Sequence, residues 1–297
     1  VSMLLFAVSL AVMGLMPQNF FPSMDKPYFR ADCFLPDGYN IRDMERVTGE
    51  LEGWLRAQPA VVNVSTAMGS SPPRYYLASS SFGPRPNFAN LLVELSDRDS
   101  TKAVEARFDH YARAEFPDLW VRSSLFKLSP AVEASIEIGF IGDDIDTLLS
   151  LCSRAQAVFD ADPGAVNVRN SWGNRVPTWT PVYSQVKGQR IGVSRASMAR
   201  EINIATDGYP LGVYRRQDQS MPILLKDNNV GGYNLNNLRT VPLFSRSGRV
   251  YPLEQAVEDF DFDYRFNVVK RYNRTRVMKV QCDPARGVNT AELLRRL

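Results

Sequence analysis

Histidine and cysteine are nearly missing from this sequence, which carries one histidine, His110, and three cysteines, Cys33, Cys152 and Cys282. The cysteines are far apart and form no C-x-x-C pair, so neither a disulfide framework nor a zinc site is indicated. Each lies in an apolar stretch, the setting of a buried free thiol. A single histidine leaves little from which to build a Ser-His-Asp triad or a histidine metal cage. G-x-S-x-G, the P-loop, a helix-opening G-x-G-x-x-G and H-E-x-x-H are also lacking, so the expectation is a protein that is not an enzyme and needs no cofactor. Charge of one sign is scarce as well. With 35 basic and 32 acidic residues the net charge is +3, and no long Lys/Arg run offers the counterion release that nucleic-acid binding draws on.

What is present fits a folded chain of two or three domains. Its 297 residues are 44% hydrophobic and 23% charged, enough apolar surface for proper cores. Charge is absent before Asp25. The run Val1–Met16 is short of the roughly 20 apolar residues of a full membrane span, and three readings stay open: the end of a transmembrane helix, a signal peptide without its basic leader, or a helix buried on all sides. Pro17, Phe20, Phe21 and Pro22 read as a helix stop with an aromatic collar of the membrane-interface kind.

An internal repeat organises the rest. Gln58-Pro59-Ala60-Val61-Val62-Asn63-Val64 leads to Met68-Gly69, and Asp162-Pro163-Gly164-Ala165-Val166-Asn167-Val168 leads to Trp172-Gly173. Each follows an amphipathic helix that itself follows an extended run. In the first copy Tyr28–Leu35 alternates as a strand, with Phe29, Ala31, Cys33 and Leu35 on one face and Arg30 and Asp32 on the other. Asn40 is placed to cap a helix whose stripe is Ile41, Met44, Val47, Leu51 and Trp54/Leu55. In the second copy a strand over Glu133–Ile141 turns at Gly142-Asp143-Asp144 into a helix marked by Ile145, Leu148, Leu149, Cys152, Ala155 and Val158/Phe159. A strand at Phe88–Leu95 and a helix after Thr101, on Val104, Phe108, Tyr111 and Phe116, complete the first copy. Strand–helix–strand–strand–helix–strand is the split βαβ, ferredoxin-like plan, an α+β fold. Asp143, Asp144 and Asp146 suggest hydrolysis less than they suggest helix capping and favourable dipole placement.

Specific residues also resemble a family. Phe20-Phe21-Pro22-Ser23-Met24-Asp25 followed by a strand ending Leu35-Pro36-Asp37-Gly38 resembles the opening of the second periplasmic loop of resistance-nodulation-division (RND) exporters of the AcrB type. Pro73-Arg74-Tyr75-Tyr76-Leu77 resembles a segment of one branch of these pumps. Gly188–Ile204, Asp207–Tyr214 and Met221–Leu225 are similar to the docking subdomain, and Gly248-Arg249-Val250-Tyr251-Pro252-Leu253 to its hairpin. Lys270–Arg276 resembles the strand returning to the porter region. The aromatic, glycine-rich switch loop of well-known drug pumps is replaced by Met68-Gly69-Ser70-Ser71-Pro72-Pro73, where proline narrows the backbone choices that glycine would widen.

The resemblance implies the end of a transmembrane helix at 1–22, a porter subdomain at 23–118, a second one at 119–168 plus 257–297 that lacks its last strand, and a docking subdomain at 169–256. It implies a proton-driven multidrug or amphiphile efflux pump, a homotrimer of the bacterial inner membrane working by alternating access with a periplasmic adaptor protein and an outer-membrane channel. The chain would meet the membrane through 1–22, with its bulk in the periplasm. Matching positions give Met68, Arg74, Tyr75, Tyr76 and Phe82 as substrate contacts after the first repeat strand, and Arg30, Asp32, Phe126, Glu133, Arg169 and Lys279 from facing walls. A solvated strand face is the plainer account of Arg30 and Asp32. Asp227–Asn237 reads as a polar hairpin-like loop. The competing class is a secreted or membrane-anchored binding module with a signal sequence, which leaves the repeat unexplained.

Overall fold

Alternation at Tyr28–Phe34 produces β1, whose Phe29, Ala31 and Cys33 are fully buried. A computed structural model describes residues 6, 24–74, 81–126, 132–228 and 235–297. The expected transmembrane segment at 1–22, the collar residues and the contacts Tyr75 and Tyr76 therefore lie outside the described residues, apart from Phe6. Among the described residues no helix is long and apolar enough to cross a membrane.

The chain forms two compact units, one of residues up to Val176 together with Phe266–Leu297, the other Pro177–Arg265. In the first unit, β1 is followed by α1 (Ile41–Arg56), β2 (Val61–Met68), β3 (Phe88–Leu95), α2 (Thr101–Glu115) and β4 (Trp120–Leu125). These strands make one antiparallel sheet in the order β2-β3-β1-β4, the split βαβ arrangement. Asn40 closes a capping box with Asp43 at the start of α1. The apolar stripe of α1 (Met44, Val47, Leu51, Leu55) and that of α2 (Val104, Phe108, Ala112) pack on Phe29, Ala31, Leu91 and Val93. Trp54 stacks on Tyr111 at 4.8 Å between the helices. Full burial of one such large side chain contributes about 1.5–3 kcal/mol. At the start of α2 Ser100 stands at the cap and Thr101 is the first helical residue. The Asp97 carboxylate, three residues before Ser100, accepts from Ser100 N–H at 2.7 Å.

Two readings need correcting here. The first sheet takes in β4, because Phe29–Phe34 pairs with Trp120–Leu125, so the first subdomain extends beyond residue 118. The Arg30 and Asp32 face of β1 is not solvated. These residues are 8% and 5% exposed, and Asp32 accepts from Asn90 Nδ2 at 2.6 Å while Arg30 Nε donates to Ser124 Oγ at 3.2 Å. Alternation told which residues share a face but not that the face is covered.

The second half of the same unit runs β5 (Ile136–Gly142), α3 (Ile145–Ala161), β6 (Ala165–Asn170), then β13 (Arg271–Tyr272), β14 (Thr275–Pro284) and a short helix at Thr290–Arg296. Strand β5 starts at Ile136, three residues later than the pattern suggested. β14 is central, antiparallel to both β5 and β6. Asp144 caps α3 by accepting from Thr147 N–H at 2.7 Å, which accounts for one of the three aspartates there. Leu148, Cys152 and Phe159 of α3 pack against Met278, Val280 and Cys282 of β14. The two repeat copies, Val61-Val62-Asn63-Val64 and Ala165-Val166-Asn167-Val168, lie in β2 and β6, and both strands carry a register shift there. At the second, Asn167 takes a positive φ of 57°. A repeated bulge is thus what the repeated sequence encodes.

The second unit starts later than the expected 169–256, because β6 belongs to the first unit, and ends later, because the strand at Val257–Phe266 pairs with the one at Arg175–Tyr183. It contains most of β7 (Arg175–Tyr183) paired with β12 (Val257–Phe266), the hairpin of β8 (Tyr209–Arg216) and β9 (Gln219–Leu225), and the short pair β10 (Pro242–Phe244) and β11 (Val250–Pro252). Helices α4 (Gln185–Ile191) and α5 (Arg195–Ala205) start at capping serines, Ser184 and Ser194. Val193, Met198, Leu243, Leu253 and Ala256 form its core. A β-carbon at Gly188 would collide with the Tyr183 hydroxyl, which donates to Val193 O at 2.8 Å, so the helix can approach the strand only with glycine there. All of β8 and β9 is exposed.

Candidate functional site

The far faces of the two sheets in the first unit line a cleft of about 580 Å³. β1 supplies Asp32 and Phe34, and β4 supplies Trp120 and Arg122 on one face because they are two residues apart. The loop before β3 adds Phe82 and Asn87; β6 and β14 add Arg169 and Gln281. Glu133, Trp172 and Lys270 come from flanking segments.

One wall is aromatic. Phe34 meets Phe82 edge-on at 5.3 Å, Trp120 at 5.2 Å and Phe88 at 4.7 Å. Such a cluster offers apolar area with soft geometric preference. Asn87, 8% exposed, is held by donation to Leu35 O at 2.7 Å, which fixes the mouth of the loop beside it.

The other wall is a polar network. Arg169 lies over Trp120, its Cζ 3.8 Å from the ring centroid. Arg169 Nε donates to Gln281 Oε1 at 2.9 Å and its Nη2 to Glu133 O at 2.8 Å. Gln281 is fully buried and donates onward to Glu137 at 2.6 Å, and Glu137 also receives Lys279 at 2.7 Å. Arg122 donates to the carbonyls of Val132 and Glu133 and pairs with Asp283 at 2.9 Å. Lys270 Nζ reaches both oxygens of Glu133 at 2.9 and 3.1 Å.

Burial opposes ionisation of Glu133, but the hydrogen bond and charge of Lys270, with the charge of Arg169, outweigh it and hold the carboxyl below its usual range. Burial pulls the Arg169 guanidinium below its ordinary value, though arginine stays charged. The hydrogen bond to Glu137 raises Lys279.

Of the residues picked from sequence, Asp32, Phe82, Glu133 and Arg169 line this cleft. Arg30 lies buried beside Asp32, with their charged groups 3.7 Å apart. Lys279 supports the network through Glu137. Met68 is 42% exposed at the end of β2, Arg74 is exposed, and Phe126 is half-buried at 6.4 Å from Tyr28; none of the three is among the cleft-lining residues. Phe34, Trp120, Arg122, Lys270 and Gln281 were not anticipated. The alternation of Trp120-Val121-Arg122 carried a signal for two of them. Among the described residues no group of three or more His, Cys, Asp or Glu side chains is gathered for a metal ion.

The AcrB/AcrD/AcrF family model matches residues 1–296. The chain belongs to this family. It is 25% identical over 162 residues to the nickel-cobalt-cadmium resistance protein NccA of Alcaligenes xylosoxydans xylosoxydans, over 53% of this chain and 15% of that protein. Two crystal forms of a heavy metal efflux pump share its fold. Form II has a TM-score of 0.72 at 16% identity over 97% of this chain and 30% of the pump chain. Form I has a TM-score of 0.72 at 14% identity over 99% and 31%. The chain spans less than a third of the length of each of these relatives.

Proposed function

We propose that this chain is the periplasmic, substrate-handling portion of an RND-type efflux transporter and that the cleft in its first unit receives a small amphiphile. The observation that carries this reading is the pairing of an aromatic wall at Phe34, Phe82 and Trp120 with a hydrogen-bonded polar wall at Arg169, Gln281 and Glu133. Adaptable apolar surface with a few fixed polar groups suits ligands that differ in shape but share an amphiphilic plan. The chain has no part in bond making. It receives motion, opening and closing the cleft as its two sheets shift. The family supports a wider setting: a proton-driven homotrimer of the inner membrane, working by alternating access with an adaptor and an outer-membrane channel. The region 1–22 would be its membrane contact.

A second reading has its own support, since NccA is named for nickel, cobalt and cadmium resistance and the two crystal forms are titled as a heavy metal efflux pump. Here the cargo would be a metal ion. A cell lacking the full-length gene, tested on anionic, neutral and cationic amphiphiles and on nickel, cobalt and cadmium salts, separates the two. Increased sensitivity and accumulation for amphiphiles, restored by the wild-type gene, is the expected result. Sensitivity to metals alone replaces the amphiphile with an ion. Unchanged sensitivity and accumulation throughout defeats the efflux reading, as a secreted binding module would give.

A further inference from the structure

Most charged groups facing the cleft are paired within it. Glu133 holds Lys270, Arg122 pairs with Asp283, and Asp32 lies between Asn90 and Arg30. Asp118 and Arg85 are exposed to water, and Asp37 accepts from Asn87 at 3.2 Å. Arg169 differs from all of these. Its hydrogen-bond partners are a side-chain amide oxygen and a main-chain carbonyl, both neutral, and it makes no ion pair among the described residues. The nearby Glu133 carboxylate is already occupied by Lys270 on both oxygens. A partly desolvated guanidinium with no carboxylate in direct contact is costly to keep; the charges of Glu133, Asp283 and Glu137 favour it, but burial outweighs them and pulls it below its ordinary value.

The surroundings of Arg169 point the same way. It sits over the Trp120 ring, its Cζ 3.8 Å from the centroid. Phe34 and Phe82 continue the apolar surface from the same ring. A cation therefore stands beside an aromatic shelf inside one cavity.

Building on the amphiphile reading of this cleft, we propose that Arg169 selects substrates with an anionic head group, of the carboxylate, sulfate or phosphate class, whose apolar body lies on Phe34, Phe82 and Trp120. The guanidinium already spends two donors on its supports and presents its remaining N–H groups to the head group. Charge-assisted hydrogen bonds of this kind are about twice as strong as neutral ones. Trp120 orients the guanidinium, so ring and cation act together as a specificity element.

The test uses the full-length transporter in lipid nanodiscs and three bromine-terminated dodecyl probes, a carboxylate, its methyl ester and a trimethylammonium, all below their micelle concentrations. Bromine quenches tryptophan on contact, and the quenching lost in Trp120→Phe isolates the cleft signal. The carboxylate should bind about tenfold tighter than the ester or the ammonium. Arg169→Gln should abolish that preference and leave ester affinity within about twofold. Arg169→Lys, which keeps the charge, should retain part of the preference. Equal binding of all three probes to the wild type overturns the assignment and leaves the amphiphile reading intact. Equal weakening of every probe in both variants marks Arg169 as merely structural and also overturns it. No Trp120 quenching by any probe defeats the amphiphile reading itself.

Discussion

Asp283→Ala should destabilise the first unit by about 3 kcal/mol. The Asp283 carboxylate accepts from Arg122 Nη2 at 2.9 Å, from Ser135 N–H at 3.0 Å and from Ser135 Oγ at 2.8 Å, with Asn167 Nδ2 at 3.4 Å. The pair is well shielded, at 19% side-chain exposure for Arg122 and 13% for Asp283. Removing one member of a buried pair costs about 3–5 kcal/mol, because the remaining charge is left unpaired and only partly hydrated. Arg122 would still have the carbonyls of Val132 and Glu133, which places the loss near the lower end, about 3 kcal/mol. In a unit of roughly 200 residues each kcal/mol lowers Tm by about 2–4 °C, so a drop of about 6–12 °C is expected. Thermal unfolding followed by tryptophan fluorescence reads it, since Trp120 and Trp172 both line the adjoining cleft. Asp283→Asn keeps the shape and one acceptor oxygen and should fall between wild type and alanine. A drop below about 2 °C for Asp283→Ala would refute the reasoning: the bridge between β4 and β14 would then be replaceable by water.

Further outcomes follow from burial and charge. Cys33, Cys152 and Cys282 are buried free thiols, and burial pushes Cys152 and Cys282 up to about 11 and Cys33 higher still. A maleimide at pH 8 should leave all three unmodified in the folded protein and label all three in denaturant; rapid labelling of any in the native state would contradict their packing. Asp162 is lowered chiefly by its hydrogen bond from Arg296, which reaches it at 2.9 and 3.0 Å, and by Gly164 N–H. A carboxylate depressed in the folded state stabilises fully above the unfolded value of about 3.9 and loses that contribution as pH falls through the lower folded value. Tm measured at pH 7 and pH 3 should therefore differ less in Asp162→Asn than in the wild type; an unchanged difference would remove Asp162 from the acid response.

How much of this was legible beforehand differs between fold and site. The repeat was readable because strand and helix periods are local properties of Tyr28–Arg56 and Ile136–Ala161. What period alone cannot carry is the partner of a face. Arg30 and Asp32 alternate correctly with Phe29 and Ala31, yet nothing near them announces that their side of the sheet is buried. The resemblance put Trp120 and Arg122 in a second subdomain starting at 119, whereas their strand pairs with β1. Glu133 and Arg169 were reached by resemblance. Lys270 and Gln281 were not, because the cleft joins them to residues lying far earlier in the chain.

The placement of β14 has a consequence for how the protein is made. Strand β6 leaves the ribosome about a hundred residues, and β5 about 130, before β14, the strand to which each of them hydrogen-bonds. At about 5–20 residues per second, the later sheet of the first unit waits on the order of 5–20 seconds with two open edges and a helix, α3, covering no finished core. The unit at 177–265, which has its own apolar centre, is synthesised within that interval. The nascent chain is most exposed to aggregation and to chaperone capture during this gap, and it ends only when Met278, Val280 and Cys282 emerge.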